Sequence, residues 1–243
     1  MKLPSFPGSL TLAPLRAVLF DHDGTLVESE PLQAIAWRKL FEELGIPLTA
    51  TQTLSASVGK PAPVILERLL NESRPNWRTE GLDVHALAHR KNDLYLEIAD
   101  QDLQPYPGVR ELLQWLKSQK VACAVVSNAK RRELLKGLEL CGIRESFDLI
   151  LSRDDVSAPK PDPAPYLTAA ATLGFSPEEC LAVEDSPTGL ESALMGRIPA
   201  AAVMTHFSHS VLATPVLGRP DLRPVWIGPS IEKLFEALKT SGK

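Results

Sequence analysis

Two aspartates follow an apolar run near the start of the chain, with one residue between them. Residues 18–20 are apolar, and Asp21 and Asp23 come directly after them. A continuous apolar run predicts a buried strand of a parallel sheet, and on a strand residues two apart point to the same side. One carboxylate can then act as a nucleophile or metal ligand while the other acts as general acid and base.

The same spacing also fits a simpler structure. An Asp-x-Asp-Gly sequence is common as a polar turn after a strand, and Gly24 would let the chain bend sharply there. His22 lies between the two acids, and strand alternation points it away from them into the fold. We therefore expect His22 to be a packed residue rather than a ligand.

Polar side chains after a second predicted strand, and a lysine in a loop, could hold an anion. Residues 121–126 predict a strand that ends in Ser127 and Asn128, before a predicted helix. A hydroxyl, an amide and backbone N–H groups at a helix N-terminus suit an anion, although these residue types also favour an ordinary helix cap. Lys160 lies between two prolines, so it would be held as a point-charge partner for phosphate or carboxylate. The alternative is a solvated loop lysine.

Two more carboxylates end a later apolar run. Glu184 and Asp185 follow a third predicted strand. Together with Asp21 and Asp23 they would form a cluster of oxygen ligands, which suits Mg²⁺. The alternative is helix capping, with Asp185 or Ser186 as the N-cap.

The spacing of apolar residues divides the chain into a core and an insert. Residues 30–103 predict only helices, whereas residues 15–29 and 104–243 alternate between strands and helices. Such alternation indicates a parallel sheet covered by helices on both faces. Residues 1–14 contain three prolines and no apolar core, so they predict a loose N-terminal arm rather than a signal peptide.

Composition excludes some classes of function. The chain has 243 residues and a formal net charge of -4, so no overall basic field indicates nucleic acid as a partner. No apolar stretch is long enough to span a membrane. The three cysteines, Cys123, Cys141 and Cys180, do not have the spacing of metal ligands. This predicts that they are reduced core residues in a cytoplasmic protein.

The ordered series of these groups resembles the motifs of the haloacid dehalogenase superfamily, over about residues 16–204. The series runs from Asp-x-Asp-Gly-Thr through Ser-Asn and an isolated lysine to Glu-Asp. The chain looks like the branch that holds phosphoglycolate phosphatase, sugar-phosphate phosphatases and β-phosphoglucomutase. The resemblance implies an α/β fold, with a Rossmann-like doubly wound parallel sheet as the core and an inserted α-helical cap domain. Four further stretches support it: residues 25–29, 106–109, 160–163 and 184–189.

The resemblance also implies the catalytic roles. Asp21 would attack phosphorus in line and form an aspartyl-phosphate, and Asp23 would protonate the leaving oxygen and then activate water. Ser127, Asn128 and Lys160 would bind the phosphoryl oxygens. An aspartate at position 23 favours phosphate chemistry, because dehalogenases of the family lack it and phosphonate hydrolases replace it with a small residue.

The metal ligands follow from the same resemblance. Mg²⁺ would be held by Asp21, by the backbone carbonyl of Asp23 and by Asp185, with Glu184 bound directly or through water. Lys160 and the metal are expected to keep Asp21 ionised, while Asp23 can hold a proton.

Two residues of the cap are predicted to contact the substrate. The resemblance implies that the cap closes over the site, and Lys60 lies in a loop that faces the active site in relatives. Lys60 would contact a polar group of the substrate, and the alternative is a solvated lysine. Gln33 stands where a β-phosphoglucomutase would carry a histidine, and glutamine cannot take up a proton as imidazole can. This departure favours plain hydrolysis. Glu28 stands where an aspartate is commoner, so the role of that carboxylate would be slightly rearranged.

These features predict a Mg²⁺-dependent phosphatase that hydrolyses a small phosphorylated metabolite, either a sugar phosphate or a phosphoglycolate-like phosphomonoester. A hexose-phosphate mutase is the first alternative, and a catalytically silent binding module on the same fold is the second. We expect a cytoplasmic monomer or dimer without a nucleic-acid or membrane partner.

Overall fold

One parallel sheet of six strands organises the part of the chain that the structure describes. The structure is a computed structural model, and it describes residues 15–49, 52, 62–214, 216 and 218–241. The strand order is β3-β2-β1-β4-β5-β6, and every neighbouring pair is parallel. The strands are β1 Ala17–Phe20, β2 Ala122–Val126, β3 Leu149–Leu151, β4 Cys180–Glu184, β5 Ala200–Val203 and β6 Trp226–Gly228.

β1 lies in the middle of this sheet, and all four of its residues are buried. Both faces of β1 are therefore buried, which explains why its sequence is continuously apolar rather than alternating. Phe20 lies opposite Val125 of β2 and Val183 of β4. The residue that follows Phe20 is therefore level with the carboxyl ends of both neighbouring strands. The predicted α/β fold with a doubly wound parallel sheet is confirmed.

Helices surround the sheet and also form most of a separate segment. In the described part of the chain they are α1 Glu30–Glu43, α2 Ala62–Ser73, α3 Val84–Asp102, α4 Val109–Ser118, α5 Arg131–Leu140, α6 Ala164–Leu173, α7 Pro187–Met195, α8 His209–Leu212 and α9 Ile231–Ser241. α6 and α7 pack against the sheet face that carries Ala17 and Leu19. None of the described helices is both long and apolar enough to cross a membrane.

The chain divides into two compact units. One comprises Met1–Val27 and Pro105–Lys243 and contains the sheet, and the other comprises Glu28–Gln104. In the second unit α1 packs against α3, and α3 against α2. α1 buries Leu32, Ala36 and Leu40, as its apolar spacing predicts.

Some predictions fall outside these observations. The N-terminal arm at residues 1–14 and the loop with Lys60 lie outside the described residues. The assignment of residues 30–103 as a cap domain stays a prediction.

Candidate active site

The turn after β1 presents the two aspartates. The Asp21 N–H donates to the Val183 carbonyl oxygen, 2.9 Å away, which holds Asp21 level with the end of β4. The chain then bends at Gly24, whose φ of +81° is in the left-handed region that favours glycine. The N–H of Leu26 donates to the carbonyl of His22 and closes the turn.

Lys160 is buried between two carboxylates. Its Nζ donates to Asp21 Oδ1 and to Glu184 Oε1, each at 2.6 Å. The Lys160 side chain is 4% exposed and that of Glu184 is fully buried. The alternative of a solvated loop lysine is therefore wrong, and the three charged groups form one cluster at the carboxyl edge of the sheet.

The polar residues after β2 are also at this edge, but their side chains already have local partners. The Ser127 hydroxyl accepts from the Ala129 N–H. The Asn128 amide bonds the main chain of Lys160 on both sides, accepting from its N–H at 3.0 Å and donating to its carbonyl at 3.2 Å. Asn128 thus fixes the backbone of Lys160, and phosphate binding by Ser127 and Asn128 stays a prediction.

Three carboxylates at the ends of β1 and β4 could hold a cation. Oxygens of Asp21, Glu184 and Asp185 all lie within 4.8 Å of one another, and all three residues are largely buried. A buried set of carboxylate oxygens fits a hard divalent cation. The carboxylate of Asp23 is not in this group, and the predicted ligand from Asp23 is its backbone carbonyl.

Glu184 occupies a place that only glycine leaves open. Its Oε1 accepts from Lys160 Nζ and from the Tyr166 hydroxyl, and its Oε2 accepts from the Ser186 hydroxyl at 3.1 Å. A Cβ on Gly189 would lie 1.8 Å from Oε1. Ser186 is the N-cap of α7 and accepts from the Gly189 N–H, so the capping alternative holds for Ser186 and not for Asp185.

The charges in this cluster shift one another. Burial raises the pKa of Asp21 to about 7, although the Lys160 ammonium acts in the opposite direction, and the Glu184 carboxylate raises it further. Burial lowers the pKa of Lys160, but Asp21 and Glu184 outweigh burial, so this pKa lies above its ordinary value. Among the protein's own groups, burial therefore outweighs the Lys160 ammonium, and Lys160 alone does not keep the pKa of Asp21 at its ordinary value.

His22 departs from its prediction in one respect. It is buried, as expected, but its Nδ1 lies 3.2 Å from Asp23 Oδ2 and so does not point away from the acids. The hydrogen bond from Leu26 to the His22 carbonyl shows that the chain has left strand geometry at this residue. Strand alternation therefore no longer separates His22 from Asp23.

Gln33 lies in the Glu28–Gln104 unit and is bonded within it. Lys91 Nζ donates to Gln33 Oε1, and the same ammonium lies 5.3 Å from the centre of the Trp37 ring. Lys91 is largely buried. Contact of Gln33 or Lys60 with a substrate stays a prediction.

Two residues that support the site are not predicted from the sequence. Tyr166 places its hydroxyl between Lys160 and Glu184. Thr205, after β5, donates its hydroxyl hydrogen to the Gly24 carbonyl at 2.7 Å and so braces the turn that carries Asp23. Tyr166 lies among small and apolar residues, which indicates an ordinary core residue. Thr205 belongs to no pattern.

Chemistry at the carboxyl edge of an open parallel sheet is typical of α/β enzymes, and this chain is one of them. The model of the haloacid dehalogenase-like hydrolase family matches residues 18–203. The chain therefore belongs to this family, in the branch that contains phosphoglycolate phosphatases and β-phosphoglucomutases, and it is a phosphoric monoester hydrolase.

Similar proteins are found among both sequences and structures. A phosphorylated carbohydrates phosphatase of Thermotoga maritima is 32% identical over 183 residues, covering 74% of this chain and 80% of that protein. A phosphoglycolate phosphatase of Pseudomonas syringae pv. tomato is 31% identical over 197 residues, covering 80% and 71%. The β-phosphoglucomutase of Clostridium difficile matches with a TM-score of 0.73 at 23% identity, covering 93% and 96%, which shows a shared fold.

Proposed function

We propose that this protein is a Mg²⁺-dependent phosphatase that hydrolyses a small phosphomonoester through an aspartyl-phosphate on Asp21. The observation that carries the proposal is the ion pair of buried Lys160 with Asp21, at 2.6 Å, beside two further carboxylates. Phosphoryl transfer depends on charge neutralisation and positioning more than on other covalent chemistry. A fixed ammonium beside a carboxylate nucleophile and a cation site supplies both.

The donor set supports Mg²⁺ as the cation. Asp21, Glu184 and Asp185 offer only carboxylate oxygens, which are the ligands that this ion prefers. Bound there, Mg²⁺ would neutralise negative charge on the phosphoryl oxygens. Asp21 and Asp185 would be ligands together with the Asp23 carbonyl, and Glu184 would bind directly or through water.

The side chains divide the reaction between them. Asp21 accepts the Lys160 hydrogen bond on Oδ1, which leaves Oδ2 to attack phosphorus while the bond from phosphorus to the leaving oxygen breaks. Asp23 gives its proton to that oxygen, and then takes a proton from water as the water attacks the phospho-aspartate and releases phosphate. The side chain of Asp23 is 36% exposed, so it is open to a substrate and to water.

The substrate class is proposed from the similar proteins. The relatives named above are a phosphorylated carbohydrates phosphatase and a phosphoglycolate phosphatase, so we propose a sugar phosphate or a phosphoglycolate-like compound. Every core residue assigned a role contacts the phosphoryl group, the cation or the leaving oxygen. We therefore expect the rest of the substrate to be recognised by the Glu28–Gln104 unit.

A panel of small phosphomonoesters tests the proposal. Wild type should release phosphate from at least one compound with Mg²⁺, should stop when a chelator is added and should recover with Mg²⁺. Ca²⁺ should restore activity poorly because its larger and looser ligand shell would misplace Asp21. Asp21→Asn should be inactive yet folded, whereas Asp221→Asn, at an exposed aspartate, should match wild type. Full activity of Asp21→Asn, or of wild type in chelator, would refute the mechanism.

The same assay separates the two alternatives. A mutase would convert β-glucose 1-phosphate to its isomer, in the presence of a bisphosphate primer, without net release of phosphate. A silent binding module would give neither product. Gln33 offers no titratable group to activate a sugar hydroxyl, and its amide oxygen accepts from Lys91, so we expect hydrolysis.

A further inference from the structure

Tyr166 is a buried tyrosine to which the catalytic scheme above gives no role. It lies in the first turn of α6, six residues after Lys160, and is 0% exposed. Its ring packs in the core with Leu19 and Ala182, and Lys160 Nζ lies 4.8 Å from the ring centre. The aromatic ring thus packs as a core side chain, while the hydroxyl lies among charged groups.

The hydroxyl completes the hydrogen bonds of the Lys160 ammonium. An ammonium has three N–H donors, and three acceptors face Nζ: Asp21 Oδ1 at 2.6 Å, Glu184 Oε1 at 2.6 Å and the Tyr166 oxygen at 3.2 Å. Three acceptors in different directions leave an ammonium no free rotation. Without the hydroxyl, one N–H in a nearly buried position would lose this partner.

The direction of the hydrogen bonds is also determined. Lysine has only donors, so the tyrosine oxygen accepts from Lys160, and its own hydrogen goes to Glu184 Oε1 at 2.7 Å. Lys160, Tyr166 and Glu184 therefore form a closed ring of three hydrogen bonds. These three hydrogen bonds join the loop before α6, the first turn of α6 and the end of β4. They therefore fix the ammonium relative to two separate elements.

We propose that Tyr166 is a positioning residue for the phosphatase reaction: its hydroxyl holds the Lys160 ammonium against Asp21 and holds Glu184 in place. The proposal rests on the proposed function, since Lys160 and Asp21 are the groups that it positions. In the proposed reaction Tyr166 would contact neither the substrate nor the reacting atoms. Its effect is transmitted by Lys160, whose positive charge would lie beside the phosphoryl group.

Tyr166→Phe separates the two roles of this side chain, because it keeps the ring and removes only the hydroxyl. We expect kcat to fall by about 10–100-fold, as expected when a hydrogen bond to a charged group is lost. KM should change by less than about threefold, because the substrate's distal contacts are untouched. The control is Tyr95→Phe, which removes a hydroxyl from a similarly buried tyrosine of the other compact unit and should leave kcat at the wild-type value.

Kinetics and melting temperature together decide the outcome. A merely structural hydroxyl would lower the melting temperature of Tyr166→Phe and leave kcat unchanged well below it. A kcat within about twofold of wild type would therefore overturn the proposal. A rise in KM with unchanged kcat would overturn it as well, because the hydroxyl would then serve binding rather than the chemical step.

A second measurement separates this proposal from the proposed function. If wild type releases no phosphate from any compound of the panel, the proposed function fails. The position of Lys160 in crystal structures of wild type and Tyr166→Phe then decides the role of Tyr166. Lys160 Nζ should leave hydrogen-bond distance of Asp21 or Glu184 in the variant, and an unchanged Lys160 would overturn the positioning role.

Discussion

At the scale of single residues, the buried cluster of Lys160, Asp21 and Glu184 is better evidence for function than for stability. Two carboxylates and one ammonium are largely buried together. The cost of removing such charges from water often exceeds the attraction between them. The pKa of Asp21, raised to about 7 mainly by burial, reflects this cost. Perturbed groups that converge on a strand end are typical of an active site.

Gly189 provides a test of how closely Glu184 must be held. We expect Gly189→Ala to lower the free energy of unfolding by about 1–3 kcal/mol, the usual cost of overpacking, because a Cβ would overlap the Glu184 carboxylate. Phosphate release should fall as well, since Glu184 would move away from Lys160. Urea unfolding and the phosphatase assay measure the two effects.

Gly196→Ala is the matched control, because Gly196 is the C-cap of α7, the helix that contains Gly189. The nearest atoms that a Cβ there would meet are the Ala193 carbonyl oxygen and the Leu167 side chain, each at 3.3 Å. This variant should be less destabilised and should keep its activity. If Gly189→Ala is as active as Gly196→Ala, the position of Glu184 is not critical.

At the scale of elements, much of the site could be predicted because each chemical group directly follows a strand. The apolar run before Asp21 predicts β1, and parallel strands end at a common edge, so Asp21, Ser127 and Glu184 could be brought together from the sequence. Lys160 could be singled out by its two prolines. The sequence also predicts that Lys160 pairs with a catalytic carboxylate such as Asp21. Its second hydrogen bond, to Glu184, is visible only in the structure.

The rest depends on contacts between distant segments, which local patterns do not encode. Tyr166 has the same sequence context as a core tyrosine, and Thr205 lies 181 residues from Gly24, to which it donates. The pairing of Gln33 with Lys91 spans 58 residues. α8 has only four residues, too few to show a helical period.

The buried thiols of the sheet and its flanking helix give a prediction at the same scale. Burial is the main cause that raises the pKa of Cys123 and Cys180 to about 12 each, and that of Cys141 to about 11. Because the thiolate is the reactive form, all three should resist a thiol reagent in the native protein at about pH 8 and react after unfolding in urea. Rapid modification of the native protein would contradict the buried positions.

The same shifts predict how stability depends on pH. A pKa raised above the unfolded value of 9.0 means that the folded state retains the proton more strongly. The contribution to stability is therefore complete below the unfolded pKa and is lost as pH rises through the folded values. The urea midpoint should fall above about pH 9, and substituting alanine for all three cysteines should reduce that fall. An equally steep fall in the cysteine-free variant would assign the effect to other groups.

At the scale of the whole molecule, we expect the unit with the sheet to carry out the phosphoryl chemistry and the Glu28–Gln104 unit to select the substrate. The unit with the sheet contains every residue that we propose for the phosphoryl group, and we expect none of these residues to distinguish one phosphomonoester from another. Lys60 is the predicted contact for the rest of the substrate. Lys60→Ala should shift relative kcat/KM among substrates by about 1–3 kcal/mol if Lys60 pairs with a polar group.

The matched control for Lys60→Ala is Lys39→Ala, at an exposed lysine of α1 in the same unit. It should keep the wild-type substrate profile, and both variants should keep their dependence on Mg²⁺. An unchanged profile in Lys60→Ala would remove Lys60 from the site. A profile that shifts equally in both variants would reflect a loss of charge in this unit rather than a specific contact.

Trapping the phospho-enzyme shows directly whether Asp21 carries the phosphoryl group. p-Nitrophenyl phosphate has a leaving group that needs little protonation, so Asp23→Asn should still transfer the phosphoryl group and then fail to activate water. We predict a burst of nitrophenolate with Mg²⁺ present, and a phosphoryl group found by mass spectrometry on the peptide that contains Asp21. Absence of both, or a phosphoryl group on a peptide without Asp21, would rule out Asp21 as the nucleophile.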